Sequence, residues 1–405
     1  MKTRLFLAAC FALLIGAALQ HTAFSQRPAG KKGGPPDFKA MSARAESEGL
    51  AKPYSGIFTS AGPEKDLFPV RSTGVSTEPV REAALAFLDV LSPEQLAKTT
   101  YPVDDDEWRK WMNQHFYVRQ GVSFKEMTDA QREAAFALMK ASLSARGFAL
   151  SRDIMRLNYT LGEIQNDFEQ YGEWLYNITV MGEPSKDQPW GWQVDGHHLI
   201  VNYFVLGDQV VMTPTFVGSE PVVAESGKYE GVAILQDEQN LGLALLNKLK
   251  PAQKAKAVIE ISKTGNNNLG EAFHDNFQLD YAGLPVREMD AAQKEALLEL
   301  TARYVDLMDD GHAKVKMDEV RARLDDTYFA WIGEGGPDSV FYYRIHSPVL
   351  LIEFDHQNPV GLRPLYPGVR SPIRQHVHVV IRTPNGNDYG KDLLRQHYAR
   401  SHRSE

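Results

Sequence analysis

Two spacings of apolar residues organise this chain. Leu350-Leu-Ile352-Glu353-Phe354-Asp355-His356 and Gln375-His376-Val377-His378-Val379-Val380-Ile381-Arg382 alternate at strand period, so Glu353 and Asp355 share one face, His376 and His378 share another, and the opposite faces are apolar. Trp190-Gly-Trp192-Gln-Val194-Asp195 and Leu199-Ile-Val201-Asn202-Tyr203 alternate in the same way, which predicts strand running through His197 and His198. A second set of positions recurs at helical spacing. Ala134, Ala135, Leu138, Met139 and Leu143 predict a helix over Asp129 to Arg146 behind a Thr128 or Asp129 cap, and Ala296, Leu297, Leu300, Tyr304 and Leu307 predict another over Asp290 to Asp309.

These two helices begin in matching text. Gly121 to Ala134 aligns without a gap with Gly283 to Ala296, through Glu126-Met127 and Glu288-Met289, at an offset of 162 residues. Leu91-Ser-Pro93-Glu-Gln95 matches Leu249-Lys-Pro251-Ala-Gln253 upstream, and Trp174-Leu-Tyr176-Asn-Ile178 matches Phe341-Tyr-Tyr343-Arg-Ile345 downstream. The order of matches is preserved. The expected fold class is therefore α+β, with pseudo-duplicated halves of helices plus antiparallel sheet (about 79–236 and 237–405) forming one large domain over 79–405.

The N-terminus carries a different message. Lys2 and Arg4 precede an apolar run from Leu5 to Leu19, and Ala23-Phe24-Ser25 supplies small residues for cleavage, so residues 1–25 read as a signal peptide and the protein as secreted or periplasmic. No later run approaches the roughly 20 apolar residues of a membrane span. Residues 26–78 read as a flexible tether followed by irregular text rich in Gly, Pro and Ser. The only cysteine, Cys10, falls in the leader, which leaves the mature chain without disulfides, thiolate metal sites or a cysteine nucleophile. The formal charge of -8 argues against nucleic acid as a partner.

Any metal must then be held by His, Asp or Glu. His376 and His378 are two residues apart on a strand, a spacing that aims both imidazoles to one side, and His198 or Glu353 would complete a three-ligand set with an open position. The His-x-His resembles the cupin motif, but the glutamate expected a few residues later is missing. Adjacent strand residues face opposite ways, so only one of His197 and His198 can join; Asn202 on the His198 side favours His198. Asp355 is the candidate base, and Arg382 the candidate clamp for an anionic group. Trp190, Trp192 and Asn202 are candidate ligand contacts, the indoles for stacking. There is no Gly-rich phosphate loop, dinucleotide fingerprint, Gly-x-Ser-x-Gly elbow or His-Glu-x-x-His, and Gly265-Asn266-Asn267-Asn268-Leu269-Gly270 reads as polar turn text.

Taken together, Trp190-Gly-Trp192 through His197-His198-Leu199, Thr213-Pro214-Thr215-Phe216, Tyr342-Tyr343-Arg344-Ile345, Ile352-Glu353-Phe354-Asp355 and His376-Val-His378 through Asn387-Asp388-Tyr389-Gly390 resemble the family called domain of unknown function 3500. The resemblance runs from about Pro79 to His402. It implies a shared architecture and supplies no activity. The expectation from the residues themselves is an exported metal-dependent enzyme, a hydrolase using zinc or, as a variant, an oxidoreductase using iron or copper, acting on a small molecule. The alternative is a non-catalytic small-ligand-binding protein using the same cleft and the Trp190/Trp192 pair.

Overall fold

The computed structural model describes residues 37–401, so the leader and the tether lie outside the described residues. In chain order the elements are α1 (Phe38–Gly49), β1 (Gly56–Phe58), α2 (Glu78–Asp89), α3 (Pro93–Thr99), β2 (Thr100–Tyr101), β3 (Val122–Ser123), α4 (Asp129–Ser142) and α5 (Ala145–Gln165). Then come β4 (Tyr176–Met181), β5 (Trp190–Gly196), β6 (Leu199–Leu206), β7 (Gln209–Val211), β8 (Thr215–Ser219), α6 (Gln236–Lys248), α7 (Pro251–Ala257), β9 (Val258–Glu260), β10 (Asn276–Gln278) and β11 (Leu284–Pro285). The chain closes with α8 (Ala291–Val305), α9 (Asp310–Ala322), β12 (Tyr328–Gly333), β13 (Phe341–His346), β14 (Leu351–His356), β15 (Val377–Arg382) and α10 (Lys391–Ser401). The class is α+β. The stretch expected to be irregular contains α1 and β1, and β1 runs parallel to β10, more than 200 residues further along the chain.

Thirteen strands join in one mixed sheet, ordered β11-β12-β13-β14-β15-β8-β6-β5-β4-β2, with β3 on β4, β7 on β6 and β9 on β12. The pairings are matched on the two sides: β2 is parallel and β3 antiparallel to β4, as β9 is parallel and β11 antiparallel to β12. Antiparallel β8 and β15 meet in the middle. Side-chain bonds match too, with Gln131 donating to Gln95 at 2.7 Å and Gln293 to Gln253 at 2.8 Å.

The long helices form where their caps predict. Thr128 and Asp290 each accept the backbone N–H of a glutamine three residues on, which returns the bond, a reciprocal cap that satisfies two otherwise orphan donors. Both helices end earlier than apolar spacing suggests. Leu143 is extended and Ser144 caps a new helix, because the Ser144 N–H and hydroxyl bond Leu307 O and Asp306 O at the break after α8. Tertiary pairing outweighs helix propensity there.

Alternation divides the sheet into two unlike faces. Trp192, Leu199, Val201, Val217, Val377, Val379, Ile352 and Phe354 pack with α2, α4, α5 and α8 in the main core. Gln193, Asn202, Gly218, His378, Glu353, Asp355 and Arg382 occupy the opposite face, as their registers require. That face also carries Ile200, Phe204, Phe216 and Val380, packed against Trp108, Trp111, Tyr389 and Leu393 and Leu394 of α10, and its buried polar groups must be satisfied by the segments that cross it.

Candidate metal centre

Three segments meet at one corner of the polar face. His378 lies in β15 across from Asp355 of β14 and Gly218 of β8. His376 precedes the strand by one residue. His198 arrives from the first half of the chain, but not from within a strand: Gly196 pairs with Leu199, so His197 and His198 form the two-residue turn between β5 and β6. Expecting them on opposite strand faces was wrong, because alternation ends at the turn. His198 has φ of 63°, a left-handed conformation that strains a residue with a Cβ by about 1–2 kcal/mol. Its amide donates to Asn113 O at 3.2 Å, and its carbonyl accepts from Gly218 N at 2.9 Å. Position 218 must be glycine, since a Cβ there would lie 2.4 Å from Val377 O.

The result is a nearly equilateral triangle of ring nitrogens. His198 Nε2 is 3.0 Å from His378 Nε2 and 3.3 Å from His376 Nε2, and the last two are 3.1 Å apart. Tetrahedral zinc with bonds of about 2.0–2.1 Å separates its ligand nitrogens by about 3.3 Å, so the triangle fits three corners of that geometry. The outer nitrogens explain the orientation. His376 Nδ1 lies 2.7 Å from Asn358 O, which only accepts, and His378 Nδ1 lies 2.7 Å from Glu271 Oε1. With Glu271 ionised, each Nδ1 carries the proton, leaving lone pairs on both Nε2 atoms.

Two lone pairs at 3.1 Å repel unless a cation lies between them. Burial, with the neighbouring histidines, pulls His198 and His378 well below the usual imidazole range, so a proton is poorly suited to the task. His198, His376 and His378 can hold a metal ion, and they are 5 %, 4 % and 7 % exposed.

Carboxylates support the rings from outside. Glu271 also accepts from Asn268 Nδ2 at 3.2 Å, and burial pushes its carboxyl up to about 7. Glu220, 3.6 Å from His376 Nδ1, accepts the backbone N–H groups of Val360, Gly361 and Leu362 at 2.7–2.9 Å. Sequence reasoning missed both. Glu271 follows the polar turn text, and Glu220 precedes a cis proline in a stretch without periodicity.

The other expected residues are placed as follows. Among the described residues neither Glu353 nor Asp355 joins the histidine group. They bind the turn text instead: Asp355 Oδ2 accepts from Asn267 N and Asn268 N at 2.6 and 3.2 Å, while Glu353 accepts from Leu269 N and Gly270 N at 3.0 and 2.8 Å. Asp355 also meets the buried Lys263 at 3.0 Å and Gln357 Nε2 at 2.6 Å; burial raises its carboxyl to about 7. Arg382 is buried and donates to Gly270 O, Glu271 O, Asp275 and Asp388, so its guanidinium anchors the same segment. Trp190 and Trp192 face the helices, their indole N–H groups on Ser185 O and Ser142 Oγ, and cannot share a cleft with His378 on the other face. Asn202 is on the polar face but is held between Gln193 Nε2 and Pro214 O.

A mixed 13-stranded sheet with a buried three-histidine cluster on the face opposite its main core defines this α+β protein. Residues 73–391 match the family described as protein of unknown function (DUF3500), and the chain belongs to that family. Neither the curated proteins nor the solved structures contain a match to it. Among the described residues no helix is long and apolar enough to cross a membrane.

Proposed function

We propose that this protein is an exported metal-dependent hydrolase in which His198, His376 and His378 hold one divalent ion through Nε2. The observation that carries the reading is the nitrogen triangle at 3.0–3.3 Å, with two of its rings committed through Nδ1 to outside acceptors. Three neutral imidazoles suit zinc, copper or iron. With no thiolate or carboxylate in the set, the ion keeps its positive charge and an open position, the conditions under which bound water ionises near neutrality.

Glu271 and Glu220 balance that charge at one remove, while the tautomers are fixed by Glu271 on His378 and by Asn358 O on His376. The Glu271 side chain is 25 % exposed, which marks the side from which a small substrate reaches the ion. The matched text and matched strand pairings support a duplicated origin. On that reading one half contributes His198 and the other contributes His376 and His378. The leader-like first 25 residues support export.

The test is turnover. Zinc-loaded protein is expected to cleave at least one class in a panel of chromogenic esters, phosphoesters, amides and glycosides, to lose that activity to a chelator, and to regain it with zinc. Full zinc occupancy without turnover of any class would contradict the hydrolase. Iron or copper in the purified protein would redirect the reading to oxidative chemistry.

A further inference from the structure

Residues 261–275 cross the polar face between β9 and β10 without regular structure. Their attachment is built from charges. Four successive backbone N–H groups, Asn267 to Gly270, are taken by two carboxylates two residues apart on β14. Lys263 at one end meets Asp355, and Asp275 at the other meets Arg109 and Arg382 at 2.9 and 2.7 Å. Glu271 reaches from the middle of this strap to His378. Just beyond it Phe273 is held at φ of 61°, an outlier for a bulky side chain and a conformation that persists only while its surroundings impose it.

We infer that metal binding and seating of this strap are one coupled event, with Glu271 as the positioning residue that links them. The inference rests on the proposed metal site. A dication on His378 Nε2 makes the Nδ1–H more acidic, so its bond to Glu271 becomes charge-assisted and tightens. Without the cation that bond weakens, and the Nε2 lone pairs of His376 and His378 push apart. Coupling is reciprocal: whatever factor the strap adds to metal affinity, the metal adds to strap closure. Partners of metal-bound histidines are typically worth about 10–100-fold in affinity. The strap is therefore seated more tightly over an occupied site.

Hydrogen exchange at the Asn267 to Gly270 amides, read on the full chain with and without zinc alongside a calorimetric zinc titration, tests this. In the wild type zinc should slow exchange at these amides by about 10–100-fold. Glu271→Ala should bind zinc more weakly by a similar factor and lose most of the slowing, while Glu271→Gln, which can still accept from Nδ1, should retain part of both. Zinc binding to the wild type with unchanged exchange, or equal slowing in Glu271→Ala, would overturn the coupling and leave the metal site standing. A wild type that takes up no zinc would overturn both.

Discussion

His376 and His378 bring their Nε2 atoms to 3.1 Å while each Nδ1 is held at 2.7 Å by an acceptor, Asn358 O for one and Glu271 for the other. His198 can offer one proton to this meeting at most, and two lone pairs still face each other. A polar arrangement that is unfavourable alone and complete with one cation is the signature of a ligand set.

The metal should therefore stabilise the fold. At a free zinc concentration 100 times the dissociation constant, the wild type should gain about 2.7 kcal/mol in unfolding free energy. His376→Ala/His378→Ala should gain close to nothing. Urea denaturation with and without zinc reads the difference.

In Glu271→Gln, whose side chain no longer titrates, zinc affinity should change little between pH 8 and 7. Protons compete for a site only below the pKa of its free ligands, and burial holds His198 and His378 well below 6.5. Competition titrations at several pH values check this. A tenfold loss of affinity already at pH 7 would contradict it.

Glu107 gives a pH effect independent of the metal. It is 1 % exposed, and burial raises its carboxyl to about 8 although Lys110 opposes the shift. A carboxyl whose folded pKa is raised stabilises the fold at low pH, and that contribution is lost as pH rises toward 8. Glu107→Gln should therefore gain stability relative to the wild type between pH 5 and 8, on the order of 1 kcal/mol per pH unit at most. Equal slopes of stability against pH in the two proteins would contradict the assignment.

Trp192 separates the two faces of the sheet. Trp192→Ala should destabilise by about 3–5 kcal/mol through loss of core packing, and zinc affinity of the folded variant should stay within about twofold. Denaturation and calorimetry on the same preparation read both quantities. A large loss of affinity would return the indole to the site.

Much of this was legible in the sequence. Period-two alternation put Glu353 with Asp355 and His378 with Arg382, each pair opposite an apolar face, because a strand allows only two sides, and the observed register brings the two pairs to one face of the sheet. The helix caps at Thr128 and Asp290 were legible for a similar reason, since their bonds are local. What alternation could not supply is which charges meet the histidines. Asp355 and Glu353 are spent on backbone N–H groups, and a backbone donor leaves no mark in the residue pattern. Glu271 and Glu220 come from segments without periodicity, so only the tertiary fold brings them to His378 and His376. His198 depended on a turn where strand spacing suggested continuity.

The central claim is that three histidines form one metal site, and metal analysis of protein purified without a histidine tag tests it most directly. About one divalent ion per wild-type chain, absent from His376→Ala/His378→Ala, is the predicted result. Substoichiometric metal in the wild type, unchanged by the double substitution, would contradict it.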